Sequence, residues 1–92
     1  MNVTSIEVTY CTNYNGAYMY VNGGISDDEM DGEQANQIQS IRTNIVDALV
    51  DDCSKYGEFM GDEDDAEELI VKLVKEQFPD ATVTVVFDGT SS

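Results

Sequence analysis

VTSIEVTYCTNYNGAYMYV, residues 3–21, alternates apolar and polar positions on both sides of an Asn-Gly pair. Two-residue alternation over this length is the pattern of a half-buried strand. Asn and Gly both tolerate the positive φ of a tight type I′ turn, so Asn15-Gly16 reads as the turn of a β-hairpin. That turn sets Tyr10 opposite Val21 and Thr12 opposite Met19. Ile6, Val8, Tyr10, Met19 and Val21 then share the face that meets the rest of the core. Tyr18 and Tyr20 fall on the other face, beside Thr9 and Cys11.

Beyond the hairpin, Gly23-Gly24 ends the second strand, and Ser26-Asp27-Asp28-Glu29 has the spacing of a capping box. Gly32 disfavours one continuous helix from Ser26, so Asp31 is read as a second cap and the main helix as running from Gly32 to Tyr56. Ile38, Ile41, Ile45, Leu49 and Tyr56 form its buried stripe, at spacings of three, four and seven. Asp52 falls inside that apolar arc, which requires either fraying or a partner for its carboxylate. Gly57 is the expected stop, and Phe59 and Met60 are expected to plug one end of the core. Asp62 opens a second helix, whose inner face is Ala66, Leu69, Ile70, Leu73 and Gln77, and Pro79 closes it. Thr82–Asp88 alternates again and forms a third strand. It could pair parallel with the first strand or antiparallel with the second. The reading is one α+β domain over residues 1–92: two layers, a three-stranded sheet with two helices on one face, in the order β-β-α-α-β.

The chain has nineteen Asp and Glu against four Lys and Arg and no His, a formal net charge of −15 over 92 residues. Duplex DNA carries one charge per about 1.7 Å of axis, so fifteen charges match roughly 26 Å of duplex. Such a field attracts cationic surfaces and repels nucleic acid and anionic membrane. No apolar run suits a membrane span and no signal peptide is evident at the N-terminus, so the cytoplasm is the expected compartment. Cys11 and Cys53 are then expected as reduced thiols. Without His, an activated cysteine nucleophile is disfavoured, and so is zinc.

The acidic residues are grouped. Asp62, Glu63, Asp64, Asp65, Glu67 and Glu68 are broken only by Ala66. Carboxylates stabilise a helix only in its first turn, where they meet free amides and the positive dipole end. Like charges at i, i+4, such as Asp64 and Glu68, oppose folding. The surplus therefore points to a partner. Asp27, Asp28, Glu29 and Asp31 form a second group, and Asp47 and Asp51 lie on the outer side of the first helix with Glu33. With Tyr18 and Tyr20, which suit stacking on Arg, these residues are the candidate partner-binding set. A calcium loop beginning at Asp27 has glycine at position six but Ile38 at position twelve, where a bidentate Glu is required. Weak calcium binding is retained only as a minor alternative. No phosphate-binding glycine loop and no catalytic constellation appear, so neither a cofactor nor an enzymatic activity is expected.

The aromatic hairpin from Tyr10 to Tyr20, the acidic Asp27-Asp28-Glu29 segment, the two acidic helices and the closing strand together resemble the small acidic inhibitors of bacteriophages, the DNA mimics and anti-CRISPR proteins. A family that inhibits type I-F CRISPR surveillance complexes is similar in layout, with a start like Thr4-Ser5-Ile6. The resemblance implies a non-catalytic inhibitor whose carboxylates occupy the basic nucleic-acid-binding surface of a CRISPR effector or another DNA-handling protein. The alternatives are an acidic protein-interaction module and a small domain adapted to high salt. A mimic concentrates its acids, whereas a salt-adapted surface spreads them.

Overall fold

A computed structural model describes residues 2–89, with the backbone alone for Asp27. Its elements are β1 (Ser5–Cys11), β2 (Gly16–Val21), β3 (Ile25–Ser26), α1 (Gly32–Leu49), α2 (Glu63–Gln77) and β4 (Thr82–Asp88), with 3-10 turns at Asp27–Glu29 and Val50–Asp52. The class is α+β, as the residue pattern indicates. The sheet has four strands rather than three, in the order β3-β2-β1-β4. The added strand is the two-residue β3, antiparallel to β2, which is too short to leave an alternating signature. β4 takes the parallel option beside β1, with Ile6, Val8 and Tyr10 level with Val83, Val85 and Phe87.

The hairpin register differs from the one expected. Ile6 faces Val21, Val8 faces Met19 and Tyr10 faces Ala17, so the turn spans residues 12–15 and Gly16 already belongs to β2. Asn15 takes positive φ, at 53°. The ring of Tyr14 folds over Gly16, and a Cβ there would lie 2.5 Å from Cε2 of Tyr14, so any larger residue would have to displace that ring. Tertiary bonds hold the wider turn, since the Phe59 amide donates to the Thr12 carbonyl at 2.6 Å and the Asn15 side-chain amide donates to the Val46 carbonyl at 3.3 Å. Because the register moved by an even number of residues, the side chains kept their faces. Ile6, Val8, Tyr10, Met19 and Val21 are all buried against the helices.

α1 stops at Leu49, well before Tyr56. Val50–Asp52 tightens into a 3-10 turn, and the following segment pairs with itself: Cys53 bridges to Phe59, and the Met60 amide donates to the Asp52 carbonyl at 2.9 Å. Gly57, at φ 86°, serves the turn in that loop instead of capping the helix. Tyr56 is accordingly 80% exposed rather than core. Asp52 is exposed too, which removes the question of a buried carboxylate. Phe59 plugs the core, meeting Tyr10 edge-on at 5.5 Å, while Met60 is exposed.

α2 forms as expected. Asp62 caps it by accepting from the Asp64 amide at 2.9 Å, and Ala66, Ile70 and Val74 are buried. Gln77 lies outside the core, where its side chain meets that of Gln37 at 3.4 Å. Ile38, Ile41, Ile45 and Leu49 of α1 complete the core. Each such side chain contributes about 1.5–3 kcal/mol by leaving water. Among the described residues, no helix is long and apolar enough to cross a membrane.

Candidate acidic interaction surface

The Gln37–Gln77 contact joins the start of α1 to the end of α2, and Leu49 and Asp52 line one recess with Asp62, Asp65, Ala66 and Leu69. The helices are therefore antiparallel. That arrangement gathers acids far apart in sequence. Asp47, Asp51 and Asp52 from the end of α1 and its 3-10 extension lie beside Asp62, Glu63, Asp64 and Asp65 at the start of α2, with Glu67 and Glu68 one turn on. All nine are exposed. Three of them, Asp52, Asp62 and Asp65, rim a recess of about 210 Å³ whose floor includes Phe59 and Ala66.

Asp28, Glu29 and Asp31 do not join this group. They lie before α1, at the opposite end of the helix pair, exposed like the others. An 18-residue helix is about 27 Å long, so the two acidic ends are separated by roughly the length of α1. The Glu29 carboxylate accepts from the Ser26 amide at 3.4 Å, one half of the expected capping box. Asp31 makes no side-chain cap bond. The side chain of Asp27 lies outside the described residues. Between the acidic ends the outer face of α1 presents Asn36, Gln39, Ser40, Thr43 and Asn44, all uncharged.

The tyrosines divide. Tyr18 is half-exposed on the open face of the sheet, and its hydroxyl lies 2.9 Å from that of Tyr14. Tyr14 also donates to Cys11 Sγ at 3.2 Å, and this bond, with the one to Tyr18, pushes its phenol pKa well above the usual value. Cys11 is buried beneath it, although its strand position faces outward. Tyr20 is half-buried and sits across from Glu7 rather than Cys11. Its recess, about 370 Å³, also touches Gly23, Gly24 and Thr84.

Tyr14 escapes a reading by periodicity because it occupies a turn. A Cβ placed on Gly57 would lie 3.5 Å from the backbone of Tyr14, so Tyr14 stands next to the loop that leads into α2, with Tyr18 bonded to it. Tyr56 and Met60 are exposed in that same loop, and Lys55 Nζ lies 5.0 Å from the centre of the Tyr56 ring. Residue order does not single out Tyr56 and Met60, since it sets Tyr56 on the buried stripe and Met60 in the core; they are exposed because α1 ends at Leu49.

Among the described residues, no group of three or more His, Cys, Asp or Glu is placed to hold a metal ion. The calcium-loop pattern meets a further obstacle, because Ile38 at its twelfth position is fully buried in the core. Comparison with protein-family models, with characterised proteins and with solved structures gave no match.

Proposed function

We propose that this chain is a non-catalytic binder that occupies the basic nucleic-acid-binding surface of another protein, such as a CRISPR effector or another DNA-handling factor. The observation that supports this most is the convergence of Asp47, Asp51, Asp52, Asp62, Glu63, Asp64, Asp65, Glu67 and Glu68 at one end of the helix pair; Tyr14 and Tyr18 lie toward the same end of the molecule, on the open face of the sheet. Packed apolar stripes fix the helix pair, so the carboxylates are presented on a rigid body and bind with little ordering cost. Uneven distribution favours a partner over general hydration: the middle of α1 carries no acid and one cation, Arg42, while both its ends are acidic. The tyrosines add flat surfaces for Arg guanidinium groups, which phosphates cannot offer.

The experiment is capture from a bacterial lysate on the immobilised chain, with duplex DNA as competitor, beside a variant carrying Asp64→Asn, Glu67→Gln and Glu68→Gln. Retention of a nucleic-acid-handling protein that DNA displaces and the variant fails to hold supports the reading. Retention indifferent to DNA points instead to an interaction module that binds a basic protein elsewhere. Nothing basic retained by either form overturns both.

A further inference from the structure

β4 is an edge strand, and its free edge is open. The Thr82 amide donates to the Thr4 carbonyl, and the Thr12 amide donates to the Asp88 carbonyl. In a parallel ladder the N–H and C=O of one residue point to the same side. Thr82, Thr84, Val86 and Asp88 therefore spend their backbone groups on β1, while Val83, Val85 and Phe87 aim theirs away from the sheet. Among the described residues no strand pairs with that side.

Side-chain burial agrees with this. Ile6, Val8 and Tyr10 of β1 are fully buried, whereas Val83, Val85 and Phe87, level with them on the same face, are only half-buried. The core runs out to the β4 edge and stops there uncovered. Edges of this kind are normally blunted by Lys, Pro or a bulge. TVTVVFD contains none of these, and Asp88 at its end is its single charge.

We propose that a second copy of this chain covers the edge, β4 pairing antiparallel with β4 of the partner about a two-fold axis at Val85. In that register Val85 faces Val85, Val83 faces Phe87, Thr84 faces Val86 and Thr82 faces Asp88. Each outward-pointing residue meets another outward-pointing one, so each facing pair exchanges both its bonds. No like charges are opposed. The two half-buried rows of Val83, Val85 and Phe87 become one continuous inner face, and the sheet extends to eight strands with all helices on one side.

A second copy fits better than an unrelated strand because of α2. Five of its six acids, Glu63, Asp64, Asp65, Glu67 and Glu68, lie in its first half, while its second half carries Lys72 and Lys75 against the single acid Glu76, a net positive charge. α2 and β4 are joined by a short connection, so they run in opposite directions with their middles at similar heights. The two-fold therefore sets the acidic half of each α2 beside the lysine-bearing half of the other. The net charge opposes association, so salt strengthens the dimer by screening it. This is the reverse of the salt dependence expected for a basic partner, and the proposal does not rest on that reading.

Light scattering on the eluting chain, with sedimentation, tests this from low micromolar to near-millimolar concentration in low and high NaCl. The expected result is twice the 10.1 kDa chain mass, with tighter association in high salt. Val85→Pro removes an N–H that faces the free edge and no bond to β1, a place where an edge strand tolerates proline. It is expected to raise the dimer dissociation constant at least about tenfold while circular dichroism stays native. Should that variant unfold, Thr84→Asp with Val86→Asp decides, since both positions are exposed and the pair opposes like charges across the axis. A chain that stays monomeric under all conditions, or a folded variant that dimerises as well as the parent, overturns the proposal.

Discussion

The hydroxyl of Tyr10 donates to Oδ1 of Asn15, a bond between a buried strand residue and the one residue of the hairpin turn at positive φ. Asn15 passes the connection on, because its amide reaches the Val46 carbonyl of α1 at 3.3 Å. The same hydroxyl lies 3.7 Å from Cys53 Sγ, and the Cys53 thiol donates to the Leu49 carbonyl at 3.2 Å. The hairpin turn, the end of α1 and the loop before α2 are thus tied at one point, and that point underlies the acidic end of the molecule.

Tyr10→Phe removes the hydroxyl and strands the Asn15 carbonyl oxygen in a partly buried position. The expected cost is about 1–3 kcal/mol, the penalty for a buried polar group that loses its partner. Urea unfolding followed by circular dichroism measures it. A midpoint unchanged from the parent would show that water replaces the bond and that the tie is not structural.

Burial raises the Tyr10 phenol pKa well above its ordinary 10.0, and the Cys53 contact adds to the effect. The unfolded chain gives up this proton at about pH 10. Between that value and the higher folded one, only the unfolded state has lost the proton. Stability is therefore fully present below about pH 10 and declines as pH rises above it. Ultraviolet titration of tyrosinate is expected to show Tyr10 ionising above the ordinary phenol range, and only as the chain unfolds. Tyr10→Phe is expected to flatten the alkaline decline.

Asp62 separates capping from charge. Asp62→Ala loses the bond from the Asp64 amide and is expected to destabilise by about 0.5–2 kcal/mol. Asp62→Asn keeps an acceptor oxygen at the cap and removes one charge from the acidic cluster, so its melting temperature is expected to match or exceed the parent. Equal losses in both variants would mean that the carboxylate's charge, not its bond, holds the helix start.

Salt acts on the folded state directly. With nineteen acids against four bases, self-repulsion destabilises the compact chain at low ionic strength. The melting temperature is expected to rise as NaCl goes from about 0.02 to about 0.2 M, over which the screening length falls to below 10 Å, and then to level off. A continued steep rise into molar salt would favour the salt-adapted reading over the partner-binding one.

Much of this protein was legible in its residue order, and for identifiable reasons. Alternation at Ser5–Cys11 and Thr82–Asp88 marked strands, the Ile38–Leu49 stripe marked α1, and Asp62 with Pro79 bracketed α2. Capping, periodicity and proline act over a few residues, so sequence displays them. Parity also protected the faces of the hairpin: the register was off, yet every core residue stayed on its side. What sequence left open depended on contacts between distant segments. The turn widened because Phe59 and Val46 bond to residues 12–15, and α1 ended early because Cys53 and Phe59 pair across their own loop. Nothing within either segment announces those bonds. The choice of β1 as the neighbour of β4 is also tertiary, since both pairings satisfied the alternation, and it is what leaves Val83, Val85 and Phe87 with an open edge. The sequence alone determined the acidity and its clustering along the chain. Only the antiparallel packing of α1 on α2 decided that Asp47, Asp51 and Asp52 stand with Asp62 to Glu68, because chain reversal over the 50–61 loop superposes charges that the sequence keeps apart.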